Sequence, residues 1–181
     1  LPRWNRTIGF IGSTETELKT LFALLLLAGT LPGMPALAQS SGAKGSTPSP
    51  LLGTWAVDIS RLPMLPEARP KSVTIAFRDA GEEKWTIDVS IVNPDASTIH
   101  AYGTYALDGT AGLGQGSTIE ADTGAIRMPA PNVLVLGLGK SGMPASTRIY
   151  TVAADGKTMI ETAVNHNGVP VMRTNYFTRV R

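Results

Sequence analysis

From Trp55 onward the apolar residues recur at every second position, and no stretch beyond that tryptophan carries a convincing 3.6-residue repeat. Period two is the mark of strands that bury one face. Between positions 84 and 93, Trp85, Ile87, Val89 and Ile91 share one side while Thr86, Asp88 and Ser90 share the other. Between 71 and 78, Val73, Ile75 and Phe77 oppose Ser72, Thr74 and Arg78. The pattern predicts strands near 53–59, 71–78, 84–93, 97–107, 118–128, 132–140, 145–154, 157–165 and 169–180. Asp79-Ala80-Gly81, Asn93-Pro94-Asp95, Asp155-Gly156 and Asn165-His166-Asn167-Gly168 supply the turn residues between them. Short turns make antiparallel neighbours. Eight or nine such strands can bury one face only by closing or by stacking, and closure also removes the exposed edges. The fold expected is therefore all-β, an antiparallel up-and-down barrel, with a β-sandwich as the alternative.

Composition narrows the rest. Among 181 residues, 43% are hydrophobic and 17% charged, the balance of a globular chain, and this length suits one domain. The absence of cysteine removes disulfide frameworks, thiolate nucleophiles, cysteine-rich zinc sites and a lipidated cysteine. The formal charge of +2 is scattered, with no Lys/Arg run to track phosphates, so nucleic acid is not an expected partner.

Residues 1–38 read as a leader. Behind Lys19 runs a short apolar core, Thr20-Leu21-Phe22-Ala23-Leu24-Leu25-Leu26-Leu27-Ala28, followed by Pro32, Pro35 and the small-residue site Ala36-Leu37-Ala38. This is the layout of a secretory signal peptide cleaved after Ala38, and the core falls short of the ~20 residues of a membrane span. No membrane anchor is expected to survive cleavage. Glu15 and Glu17 stand where such leaders are basic, which favours Leu18 as an alternative start. Without the leader the formal charge falls to about +1. Gln39 to Pro50 is rich in Ser, Gly and Pro and reads as a flexible linker, with the barrel domain occupying 51–181.

Gly53-Thr54-Trp55 in the first strand resembles the Gly-x-Trp signature of the lipocalin and fatty-acid-binding superfamily. Arg179 stands near the end of the last strand, where that superfamily often sets an arginine against the tryptophan. More narrowly, Leu52-Gly53-Thr54-Trp55, Pro70-Lys71-Ser72-Val73-Thr74-Ile75 and Ala154-Asp155-Gly156-Lys157-Thr158-Met159 resemble small exported bacterial proteins with a lipocalin-like domain. The chain departs from the classical pattern in having no Thr-Asp-x-x-x-Tyr motif, no disulfide and no certain helix. The resemblance implies a bacterial protein, periplasmic or secreted, whose barrel encloses a small hydrophobic molecule. It implies structural roles for Gly53, Trp55 and Arg179, the arginine lying over the ring.

The last strand carries the most informative pattern. Val171, Arg173, Asn175, Phe177 and Arg179 fall on one face, and Met172, Thr174, Tyr176, Thr178 and Val180 on the other. Neither face is purely apolar, as a partly polar cavity would produce; an outer face in contact with water would produce the same blur. Arg173 and Arg148, with Tyr150 and Asn175, are the ligand-binding candidates, because a guanidinium inside a barrel can hold a carboxylate or phosphate headgroup bidentately. The alternative has both arginines turned outward into water, or paired with Glu161. His100 shares a face with Tyr102 and Thr104. With Glu161, Asp88 or Tyr102 it would form an acid–base pair able to move protons near neutral pH, although a satisfied or solvated histidine is the simpler account of it. His166 belongs to a turn, no metal site is supported, and no cofactor is implied. Asp108 to Thr123, with Gly109, Gly112, Gly114 and Gly116, is long for a hairpin loop and reads either as a lid at the barrel mouth or as a disordered loop. Gly139-Lys140-Ser141 lacks the upstream glycine of a phosphate-binding loop.

Three functions remain open. The first is an exported carrier of a small hydrophobic or amphipathic molecule. The second is a small barrel enzyme, an isomerase, lyase or hydrolase, using His100 with a carboxylate. The third is a protein-binding inhibitor of an envelope hydrolase. Carriage rather than catalysis is the expected role.

Overall fold

The computed structural model describes residues 48–166 and 168–180. The leader and the linker up to position 47 lie outside the described residues, as does Asn167. Eleven antiparallel strands form one sheet that closes nearly completely into a barrel. In chain order they are β1 (Gly53–Val57), β2 (Ser72–Gly81), β3 (Lys84–Val92), β4 (Thr98–Ala106), β5 (Gly112–Leu113), β6 (Gln115–Gly116), β7 (Thr123–Ala130), β8 (Val133–Lys140), β9 (Met143–Val152), β10 (Thr158–Asn165) and β11 (Val171–Val180). Around the wall the order is β5-β7-β8-β9-β10-β11-β1-β2-β3-β4-β6. The first and last long strands are therefore neighbours, with Trp55 opposite Arg179.

The barrel predicted from the alternation is present, with two more strands than expected. Both extra strands are two residues long and lie in the glycine-rich stretch read as a lid or a disordered loop. Gly112 and Leu113 pair with Gly124 and Thr123 on β7, and Gln115 and Gly116 pair with Tyr102 and Ala101 on β4. The two edges of the sheet are thus consecutive pieces of one segment, and the chain itself bridges the seam between β4 and β7. The Tyr105 ring fills that seam. A Cβ on Gly103 would meet its hydroxyl, one on Gly124 would come within 2.8 Å of its ring, and one on Gly112 within 3.1 Å. Closer than about 3.0 Å is not a distance real Cβ atoms adopt, so the glycines clear room for the ring.

Other differences are local. β1 ends at Val57, and the chain turns through two 3₁₀ turns, Ile59–Arg61 and Pro66–Ala68, the first capped by the Asp58 carboxylate accepting from the Ser60 amide at 3.1 Å. The β2–β3 hairpin turns at Glu82-Glu83, not at Asp79-Ala80-Gly81, which lies within β2 at a register shift. Both glutamates have positive φ, 50° and 54°, as a two-residue hairpin loop of matching twist requires. Folded structure also begins before Leu51: the Ser49 hydroxyl donates to the Pro131 carbonyl at 2.7 Å.

Inside, the alternating residues of successive strands make one core of Trp55, Ile75, Phe77, Trp85, Ile87, Tyr105, Ile126, Leu134, Leu136, Tyr150, Val152, Met159 and Phe177. Trp55 is fully buried, and its indole Nε1 donates to the Leu51 carbonyl at 2.9 Å. The Arg179 guanidinium lies over the ring, its Cζ 4.1 Å from the centroid. Its Nε donates to the Gly156 carbonyl at 2.7 Å, its Nη1 to Leu52 at 2.7 Å and its Nη2 to Pro50. One side chain therefore ties the entry to β1, the β9–β10 turn and β11 together. This explains Gly53. Its φ of 126° disfavours any L side chain, and a Cβ there would lie 2.6 Å from Arg179 Nη1.

Removing Arg179 forfeits a cation–π contact and leaves three part-buried carbonyls without their donor. Arg179→Met is expected to lower unfolding stability by about 2–4 kcal/mol in urea titrations, on the strength of charge-assisted hydrogen bonds. A change below about 0.5 kcal/mol, the scatter typical of surface substitutions, would show that the clamp is not what closes this end.

Candidate functional site

The polar residues of the late strands are ordered by register. Tyr150 on β9 stands opposite Glu161 on β10, which stands opposite Asn175 on β11. One rank along, Arg148 stands opposite Ala163, which stands opposite Arg173. All six alternate with outward-facing residues and point to the interior. Arg148 and Arg173 are therefore inner-wall residues, and the reading that turned them into water is excluded by the register.

Glu161 is the centre of the cluster. It is 2% exposed, and a carboxylate this deep persists only if its lone pairs are engaged. Arg148 Nη1 donates to Oε1 at 3.2 Å, the Tyr150 hydroxyl donates to the same oxygen at 2.9 Å, and Asn175 Nδ2 donates to Oε2 at 2.5 Å. Arg148 is shared. Its Nη2 donates to Glu120 Oε2 at 2.5 Å, a residue 65% exposed in the segment between β6 and β7. Burial acts to lower the pKa of the Arg148 guanidinium, but the negative charge Tyr150 would carry if it lost its proton, together with the Glu161 and Glu120 carboxylates, outweighs it and holds the guanidinium above its ordinary value. Burial, followed by the Glu161 carboxylate, pushes the Tyr150 phenol well above its usual range. Among the described residues, the buried Nε atoms of Arg148 and Arg173 have no hydrogen-bond partner.

Next to this cluster lies a cavity of about 200 Å³. Its apolar wall comes from Ile87, Val89 and Ile91 of β3, Ile99 and Ala101 of β4, and Leu136 and Leu138 of β8. Its seam side is formed by Tyr105 and by Gly114, Gln115, Ser117, Ile119, Glu120 and Ala121. Arg148 and Tyr150 border it from β9. Of the four ligand-binding candidates, these two reach the cavity. Asn175 acts only through Glu161. Arg173 does not line the cavity, because the space opens toward β3, β4 and β8 while Arg173 stands on the far side of Arg148, beyond Ala163.

The acid–base candidates divide differently. His100 faces outward, half exposed, with Nε2 3.1 Å from Asp88 Oδ1 and its ring stacked on Tyr102 at 5.1 Å between centroids. Asp88 also accepts from Arg78 Nη1 at 3.2 Å. The grouping of His100 with Asp88 and Tyr102 is present on the outer face. The grouping with Glu161 is not, because period-two alternation sends His100 out of the barrel and Glu161 into it. Among the described residues, no three His, Asp or Glu side chains stand close enough to hold a metal ion, and no helix is long and apolar enough to cross a membrane.

Two partners of the site escaped the sequence. Glu120 lay in the strand expected over 118–128, which in the structure begins only at Thr123 and leaves Glu120 in the connecting segment, and the only hint of Tyr105 was the density of glycines that surround its ring.

The arrangement defines a class by its fold: an antiparallel barrel with a small apolar interior and one buried ionic cluster. No protein-family model matches the sequence, and no curated protein matches it. Among solved structures, the chain is similar to a point mutant of the fluorescent protein UnaG, with a TM-score of 0.51 at 12% identity over 73% of this chain and 97% of that one. Wild-type UnaG gives a TM-score of 0.50 at 12% identity over 71% and 96%. Fatty-acid-binding protein 1 of Echinococcus granulosus aligns at 11% identity with a TM-score of 0.48. At these identities the UnaG likenesses show the barrel fold and nothing finer.

A phenol whose pKa is raised on folding contributes nothing unfavourable below the unfolded value of about 10, and costs stability as pH rises above it, because the native state then holds the extra proton. Stability is therefore expected to fall above pH ~10 more steeply in the wild type than in Tyr150→Phe, by chemical denaturation at stepped pH. Parallel curves would mean that Tyr150 ionises as freely in the barrel as in the unfolded chain.

Proposed function

We propose that this chain is an exported barrel that binds or carries a small hydrophobic or amphipathic molecule in its interior. The supporting observation is the cavity itself: about 200 Å³, walled by Ile, Val and Leu side chains, with a single guanidinium, that of Arg148, at its polar border. A pocket of this kind, mostly apolar with one or two convergent polar groups, is what a small ligand with a hydrocarbon body and one polar head requires. Each CH₂ moved out of water contributes about 0.8 kcal/mol, so an eight-carbon chain contributes about 6 kcal/mol, equivalent to a Kd of tens of micromolar before the cost of association. The leader, with its apolar core behind Lys19 and the small residues Ala36 and Ala38, is what supports export, to the bacterial periplasm or outside the cell, in this reading.

Calorimetric titration with octan-1-ol and octanoate tests this reading. Saturable binding of at least one at unit stoichiometry is expected. Ala101→Trp, which puts an indole into the cavity from β4, is expected to weaken binding at least about tenfold, the loss of a few CH₂ contacts, while leaving the far-ultraviolet circular dichroism unchanged. Undiminished binding to a folded Ala101→Trp would place the ligand elsewhere.

A further inference from the structure

Arg148 is held by two carboxylates that differ in every respect that matters for exchange. Glu161 is buried and accepts from two further donors, so it is a fixed counter-ion that aims the guanidinium. Among the described residues Glu120 makes one side-chain hydrogen bond, at 2.5 Å to Nη2, and most of its side chain is in water. It also lines the cavity, beside Ile119. The segment that carries it is anchored on both sides. The Ser117 amide donates to the His100 carbonyl at 2.7 Å, the Asp122 amide to the Gly139 carbonyl at 2.9 Å, and Lys140 Nζ to the Thr118 carbonyl. Only the short span from Ile119 to Ala121 is free to carry the carboxylate away. An exposed ion pair is worth about 0–1 kcal/mol, whereas breaking a buried one costs several. The two arms of Arg148 are therefore unequal, and the weak arm faces the cavity.

From this the geometry points to Glu120 as a specificity-determining residue: a built-in carboxylate that occupies the cavity-facing arm of Arg148 and that the acidic headgroup of a ligand must displace. The inference deepens the reading of the barrel as a small-molecule binder and rests on it. It sets the orientation of the ligand, with the headgroup at the rim where Glu120 sits and the hydrocarbon inward against Val89, Leu136 and Leu138. It also sets selectivity. A neutral head enters with the Glu120–Arg148 pair intact. A monocarboxylate trades one carboxylate for another, so its affinity is held down by the strength of the pair it replaces.

The test is calorimetric titration of the wild type and Glu120→Ala with octanoate and octan-1-ol, which share a chain and differ in the head. Because Glu120 is exposed, the variant is expected to fold as the wild type does. Octanoate is expected to bind Glu120→Ala about fivefold more tightly, the release of one exposed pair, while octan-1-ol is unchanged within about twofold. Octanoate affinity that is unchanged or weaker in the variant, with ligands still bound, overturns the role of Glu120 and leaves the binding reading standing. An equal gain for both ligands also overturns it, since that is the response to removing bulk rather than charge. If neither protein binds either ligand, the binding reading fails and this inference fails with it.

Discussion

The closure of the barrel depends on one side chain crossing from the last strand to the first. A meander of antiparallel strands has two ends to join, and here β1 and β11 meet where Arg179 covers Trp55 and donates to the carbonyls of Pro50, Leu52 and Gly156. A guanidinium suits this place, because its planar face lies on the indole while its fork reaches three acceptors in different directions. The geometry fixes Gly53 in turn, since a side chain there would collide with the arginine. The opposite problem, the seam between β4 and β7, is solved without charge. The segment from Gly112 to Gly116 pairs with both walls, and the Tyr105 ring packs where glycines have cleared room.

Those two closures differ in how far the sequence reveals them. The Trp55–Arg179 contact is local in pattern: a Gly-x-Trp at the start of the first strand and an arginine near the end of the last. The faces of β2 and β3 follow from alternation alone, because a one-residue error would invert a whole strand, whereas the mixed faces of β11 do not reveal their core side. The seam was hidden, since a two-residue strand has no period, and Gly112 to Gly116 pairs only because its neighbours offer it edges. The Glu82-Glu83 turn was hidden for a related reason. Glutamate gives no sign of positive φ, and Asp79-Ala80-Gly81 nearby looks more like a turn than the real one does.

The interior cluster lies between these cases. Alternation places Arg148, Tyr150, Glu161, Arg173 and Asn175 on inward faces once the core side of β9, β10 and β11 is known. Which of them meet is a matter of register, set by the β9–β10 turn at Asp155-Gly156 and by the pairing of β10 with β11. That register puts Glu161 between Tyr150 and Asn175 and puts Ala163, too small to intervene, between the two arginines. Direction along the wall then separates the arginines: Arg148 borders the cavity and Arg173 does not. His100, attractive as an acid–base residue from its flanking positions, is carried to the outer face by the same alternation.

A buried carboxylate with three donors is costly to assemble, and a barrel that needed only to fold could place apolar residues there instead. Its consequence here is an arginine aimed at the border of an apolar cavity. The most direct measurement is a titration of ¹⁵N-labelled protein with octanoate, followed through the arginine Nε–Hε resonances. The Arg148 signal, from a buried Nε with no partner among the described residues, is expected to shift saturably, while those of Arg61 and Arg78 on the outer face hold still. Saturable shifts confined to the outer arginines, with Arg148 unmoved, would contradict the account.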